Sequence, residues 1–236
     1  KLYADDKLIK TESQKSKADK TYALAVKLKA GLTRYKVEFG IKSGSTETLR
    51  QMVNNLVCGD AYIIDGQSNA VAYNYANETN RPDLTRHSSP WIRSYGGNGE
   101  SGGDPTAGGW GNAVVERLTP DSPDRIHFIG VWGMAMAKEL VEDQKMPICI
   151  LNGSVGGTRI DQHMPDPANH YDTTNGAYSI YGRLLTRVAA AKLTHGIRGV
   201  LWHQGEADQG SDGPDGGYGC ETYQQYFVDL SAAWKQ

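Results

Sequence analysis

Cysteine is scarce in this chain: three in 236 residues, Cys58, Cys149 and Cys220, too few and too scattered for a disulfide framework or a zinc site. Whether any two are bridged the sequence leaves open. No apolar run approaches the roughly 20 residues needed to span a bilayer. No basic and apolar leader opens the chain either; it begins abruptly at Lys1-Leu-Tyr, so its start says nothing about destination. An excess of one charge is also missing. Twenty-seven acidic residues face 25 lysines and arginines, for a net charge of −2, which argues against nucleic acid or an anionic membrane as partner. Phenylalanine is down to three, whereas Tyr and Trp number 13 and 5 and glycine 28. That mix suits long polar loops and a surface that meets carbohydrate.

What is present is enough chain for one full α/β domain, with about sixty residues left over. In the leftover part, residues 1–57, two stretches read as β-strands. Thr21-Tyr-Ala-Leu-Ala-Val-Lys-Leu-Lys29 alternates in its second half, and Tyr35, Val37, Phe39 and Ile41 alternate cleanly in the run from Thr33. Ala30-Gly-Leu is the expected hairpin link. Two strands alone are marginal in water. They are expected either to pack on the main domain or to end an accessory β-sandwich.

From residue 58 the texture becomes strand, loop, helix, three times over. Ala61-Tyr-Ile-Ile64 runs into Gly66-Gln-Ser-Asn69. Pro147-Ile-Cys-Ile-Leu151 runs into Gly153-Ser-Val-Gly-Gly-Thr158, and Gly199-Val-Leu-Trp202 into His203-Gln-Gly-Glu206. Helices are expected over 128–141 (spaced on Trp132, Met136 and Leu140), 178–193 (Ile180, Leu184, Leu185, Val188, Ala191) and 221–234. Alternation of this kind predicts an α/β fold, a parallel sheet with helices on both faces. Such sheets bind ligands at the carboxyl ends of their strands. All three strands end in unusual polar or glycine-rich sequence, which points to one site built from Ser68, Gly156-Gly157 and Gln204.

Ester cleavage requires a nucleophile, a base and N–H donors aimed where an oxyanion forms. Ser68 sits at a strand-to-helix turn that can expose its hydroxyl; a lone serine there more often caps the helix. Glycines after a buried strand let a backbone N–H approach a ligand, although many such pairs are plain turns. Gln204 offers a side-chain amide. Glu206 is expected to be a buried structural acid bonding loop backbone or Arg159, and Trp202 a core residue.

In order and spacing, Gly66-Gln-Ser-Asn69, Gly156-Gly-Thr158 and Trp202-His-Gln-Gly-Glu206 resemble the SGNH-hydrolase superfamily, specifically its carbohydrate O-acetylesterase branch typified by sialate O-acetylesterase. The resemblance covers about residues 57–236, giving an SGNH hydrolase domain at 58–236 with a three-layer, flavodoxin-like sheet. It implies a serine esterase that removes O-acetyl groups from a sialic acid or a polysaccharide through an acyl-enzyme on Ser68. The backbone N–H groups of Ser68 and Gly157, with Gln204 as third donor, would form the oxyanion hole. No cofactor and no metal are implied, the partner is an acetylated carbohydrate, and the expected setting is extracellular or periplasmic. An alternative is a non-catalytic or incomplete carbohydrate-binding homologue. A lipid or thioester hydrolase is disfavoured by the polar Gly/Tyr/Trp loops.

One departure stands out. The family's base histidine lies near the C-terminus, with an aspartate before it, whereas this chain ends at Trp234-Lys-Gln236 after the third motif. The resemblance therefore places the base, and the C-terminal part of the domain, beyond residue 236 or on a separate chain. Of the six histidines, His203 lies in the third motif, and His163 and His170 lie in a polar loop from which they could reach substrate. His87, His127 and His195 have no supporting context. Asp208, Asp212 and Asp215 fit a calcium loop only in part and read as solvated. Gly96-Gly and Gly102-Gly follow no apolar strand and are not a phosphate-binding fingerprint.

Overall fold

The computed structural model describes residues 1–73, 88–96, 108–115, 126–174, 179–210, 212–213 and 216–236. The chain divides into two compact units: Lys1–Gly59 with Gln144–Pro147, and Asp60–Asp143 with Ile148–Gln236.

The smaller unit is a four-stranded antiparallel sheet in the order β2-β1-β3-β4, built from β1 (Leu2–Ala4), β2 (Lys7–Lys10), β3 (Gly31–Ser43) and β4 (Thr46–Cys58). This corrects the sequence reading. Residues 21–30 are not a strand, and β3 pairs instead with β4, reversing between Ser43 and Thr46 where Gly44 takes φ +61°. Glycine marked the wrong turn because both Gly31 and Gly44 follow strand-like runs, and the pairing partner decided between them. β4 shows no alternation because its register slips and its first ten residues, Leu49, Met52 and Val53 among them, are all exposed. The irregular segment still packs locally: the rings of Tyr22 and Phe39 stack with centroids 5.0 Å apart.

Among its described residues the larger unit holds five strands in the order β7-β6-β8-β5-β9: β5 (Asp60–Gly66), β6 (Ile92–Tyr95), β7 (Trp110–Asn112), β8 (Ile148–Asn152) and β9 (Ile197–His203). β6, β8, β5 and β9 run parallel, and β7 is antiparallel to β6. All five residues of β8 are buried, as a continuous apolar strand in a parallel sheet requires. The described α-helices are α1 (Ser68–Val71), α2 (Val131–Gln144), α3 (Ser179–Ala190) and α4 (Cys220–Ala233).

Successive strand residues point to opposite faces, and the core divides accordingly. Ile64, Ile148 and Ile150 pack with Met134, Ala137 and Val141 of α2, whereas Ala61, Ile63, Cys149 and Leu151 pack with Leu184 and Val188 of α3. The inward stripe of α2 is thus not the expected Trp132, Met136 and Leu140, which are only partly buried. A wide apolar helix has more than one stripe that satisfies the 3.6 period, and the partly buried Trp132 indole donates to the Asn69 carbonyl at 2.9 Å. The order β8-β5-β9 sets β5 between the two other motif-bearing strands, so their three C-terminal loops are neighbours. Among the described residues no helix is long and apolar enough to cross a membrane. All three cysteines are free thiols.

Candidate active site

The site is assembled around the turn that leaves β5. Gly66 has φ +135°, and a Cβ there would overlap the His203 carbonyl oxygen, so only glycine fits. The Gln67 N–H donates to that same oxygen at 3.1 Å, binding the turn to the end of β9. Gln67 is the cap residue of α1, extended at φ −107°, and no side chain caps the helix. Ser68 is therefore the first helical residue rather than the cap, and it is exposed. The Gln67 side chain is buried; its Oε1 accepts from Gln204 Nε2 and from the Ala207 N–H, each at 3.0 Å.

The loop after β8 is fastened to the same turn. Asn152, the last residue of β8, donates from Nδ2 to the carbonyls of Ala70 and Ile129, both at 3.1 Å, and accepts from the Ser154 N–H. The Val155 N–H donates to the Gly66 carbonyl at 3.0 Å. Gly156 and Gly157 are exposed; Gly157 takes φ +74° with open space where a side chain would stand. Thr158, next in line, is buried and shares a bond of 2.8 Å with His163 Nε2, while His163 Nδ1 meets Asp65 Oδ1 at 3.1 Å.

The loop after β9 closes the group. Gln204 Nε2 lies within reach of three acceptors, Gln67 Oε1, the Thr158 carbonyl and Asp208 Oδ2, with two hydrogens to distribute among them. The Gln204 backbone carbonyl accepts from the Tyr223 hydroxyl at 2.8 Å, and burial pushes that phenol above its ordinary pKa. Asp208 is buried and also accepts from the Ile160 N–H at 3.0 Å, so it holds loop backbone and is no solvated loop acid. Asp212 accepts from the Gly219 N–H, and Asp215 lies outside the described residues. Glu206 differs from expectation. It is exposed and bonds the Asn69 side-chain amide, with His203 Nε2 at 3.5 Å, while Arg159 pairs with Asp161 instead. Trp202 is half-buried against Leu230 and Trp234, and its indole donates to Tyr223.

The structure thus brings together the immediate neighbours of all three candidate residues: Gln67 beside Ser68, Thr158 beside Gly157, and Gln204 itself. Of the described histidines, His203 lies at the cluster, exposed at the end of β9 with Nε2 3.5 Å from Glu206; the others fall elsewhere. His163 is not in a position to reach substrate; it is fully buried with both ring nitrogens bonded. His170 packs edge-on to Tyr181, His127 is buried against the Gly109 carbonyl, and His195 is exposed in a turn. His87 and Gly102-Gly lie outside the described residues.

Three supports were not read from the sequence: Asn152, the Asp65–His163 pair, and Arg187. Arg187 is fully buried in α3 and donates to the carbonyls of Gly96, Asn152 and Tyr95 at 3.1, 2.7 and 3.0 Å, tying the ends of β6 and β8. Burial pulls its guanidinium down to about 10, still charged at neutral pH. Each had a signal: a charge inside an apolar strand (Asp65), a charge on an apolar helix face (Arg187), an amide closing an apolar run (Asn152).

A largely parallel α/β sheet whose interior strand β5 delivers an exposed serine into a cluster of three bonded loops is an architecture suited to hydrolases. The family described as carbohydrate esterase, sialic acid-specific acetylesterase, matches residues 58–235. The chain belongs to that family. Among solved structures, it is similar to an Arabidopsis thaliana protein at 20% identity, covering 75% of this chain and 67% of that one, with a TM-score of 0.48. It is also similar to a carbohydrate acetylesterase from Xanthomonas citri at 20% identity, covering 86% of this chain but only 42% of that one, with a TM-score of 0.49. No curated protein matches.

Proposed function

We propose that this protein is a serine esterase that removes O-acetyl groups from a carbohydrate, with Ser68 as nucleophile and a transient acetyl-Ser68 intermediate. The observation that carries the reading is the setting of Ser68 within the family-matched segment. It is exposed just past the end of β5, an interior strand, and the loops after β8 and β9 are bonded to Gly66 and Gln67 before it. In this reading the larger unit is a three-layer SGNH domain. Ser68 Oγ attacks the acetyl carbonyl, and the oxyanion is met by the Ser68 and Gly157 N–H groups. Gln204 Nε2 joins them when a substrate oxygen replaces one of its three protein acceptors. The sugar hydroxyl leaves, and water releases acetate from Ser68.

The burial of His163 favours a second reading, a homologue that binds acetylated carbohydrate without cleaving it, because the histidine nearest the second motif has no nitrogen to offer Ser68. Acetate release from O-acetylated sialic acid and from acetylated polysaccharide separates the two. The esterase reading expects turnover that falls by several orders of magnitude in Ser68→Ala. Binding of the acetylated sugar without acetate release would establish the second reading. A folded Ser68→Ala protein keeping more than about a tenth of the rate would remove Ser68 as nucleophile.

A further inference from the structure

Asp65 and His163 are both fully buried, and neither has a role in the chemistry proposed for Ser68. Their hydrogen bonds fix how many protons they hold. A carbonyl oxygen only accepts, so the Thr158 hydroxyl, 2.7 Å from the Val155 carbonyl, must donate its one hydrogen there. Thr158 Oγ1 is then the acceptor in its 2.8 Å contact with His163, and Nε2 carries a hydrogen. The 3.1 Å contact between Nδ1 and Asp65 Oδ1 needs another. The pair therefore holds one proton more than a carboxylate beside a neutral imidazole, which makes it neutral overall. That explains how two ionisable groups sit at zero exposure with no further counter-ion among the described residues.

The position of this neutral pair matters more than its charge. Asp65 directly precedes Gly66-Gln67-Ser68 and accepts the Gly66 N–H at 2.8 Å. Thr158 directly follows Gly156-Gly157. These glycines are exposed, and Gly157 would have nothing within 4 Å of a side chain. With open space where a side chain would stand, the direction of the Gly157 N–H is set by the anchors on either side: Val155 to Gly66, and Thr158 through His163 to Asp65 and through its carbonyl to Gln204 Nε2.

We infer that the buried Thr158–His163–Asp65 chain is a positioning link that holds the Gly156-Gly157 loop in register with the Ser68 turn, with His163 as a doubly bonded strut and not a base. Its catalytic consequence rests on the esterase reading; its mechanical content does not. Thr158→Val keeps the shape of the side chain and removes the acceptor, whereas Thr158→Ser keeps the hydroxyl. In ¹⁵N spectra of the whole chain, His163 Nε2 is expected in its protonated form. Amide hydrogen exchange in Thr158→Val is expected to quicken about tenfold or more at Val155, Gly66 and Gln67 with Ile64 and Ile150 unchanged, and Thr158→Ser to restore it. On an acetyl ester, Thr158→Val is expected to lower kcat about tenfold with KM nearly unchanged, as for a contact that orients the reacting groups. An unprotonated Nε2, or exchange that is unaltered or rises equally across the core, overturns the link. If Ser68→Ala leaves activity intact, the esterase reading falls and the exchange result alone decides this one.

Discussion

Gln204 Nε2 donates to Gln67 Oε1 at 3.0 Å, joining the residue before the candidate nucleophile to the third sequence motif, 137 positions away. Oε1 of Gln67 also takes the Ala207 N–H. Gln67→Leu removes an acceptor shared by the half-buried donors of Gln204, Gly205 and Ala207 and is expected to lower stability by about 1 kcal/mol, the low end of the cost of an orphaned polar group. Gln67→Glu, which retains acceptor oxygens, should fall closer to wild type. Urea midpoints at constant m decide; equal midpoints for Gln67→Leu and wild type would mean the bond contributes nothing net.

Two glycines in the site are expected to respond very unequally to the same change. Gly66→Ala combines a left-handed φ with overlap on the His203 carbonyl, so the turn must open and the protein should fold poorly or not at all. Gly157→Ala meets only the left-handed φ, a cost of about 1–2 kcal/mol with no clash, and should fold. Thermal unfolding of both variants tests this, and a stable Gly66→Ala protein would show that the β5 turn is looser than described.

Arg187→Leu should destabilise the larger unit by about 3 kcal/mol, because two buried carbonyls and one half-buried carbonyl lose their donors at about 1–3 kcal/mol for each buried one. Arg187→Lys should recover only part, since one ammonium on a flexible stem cannot span the planar arrangement of three acceptors. A Lys variant as stable as wild type would mean that the charge alone matters.

The three thiols should separate by burial. Cys220 is exposed and should react with a thiol reagent at pH 8 within minutes, whereas Cys149 should stay unmodified until the protein unfolds. Burial pushes the Cys149 thiol up to about 12, since the apolar surroundings disfavour the thiolate. A folded value above the unfolded one means that its contribution to stability is whole below about pH 8.5 and is lost as pH rises toward 12. Rapid labelling of Cys149 in the native protein would contradict the packing of β8 against α3.

The sequence by itself determined the parallel arrangement and the family. Apolar runs of five or so residues ending in polar or glycine-rich motifs leave few alternatives to strands of a parallel sheet with a shared edge. Gly66, Ser68, Gly157 and Gln204 are visible as residue types with distinct chemistry. The tertiary structure alone decided what each polar group bonds. Asp65, His163, Asn152 and Arg187 lie far apart in the chain, and a hydrogen bond across 98 residues leaves no periodicity behind. It also decided that Glu206 faces solvent beside Asn69 and that β3 pairs with β4, not with the segment before it. Local propensity ranks what a segment can form; which partner satisfies it depends on the rest of the fold.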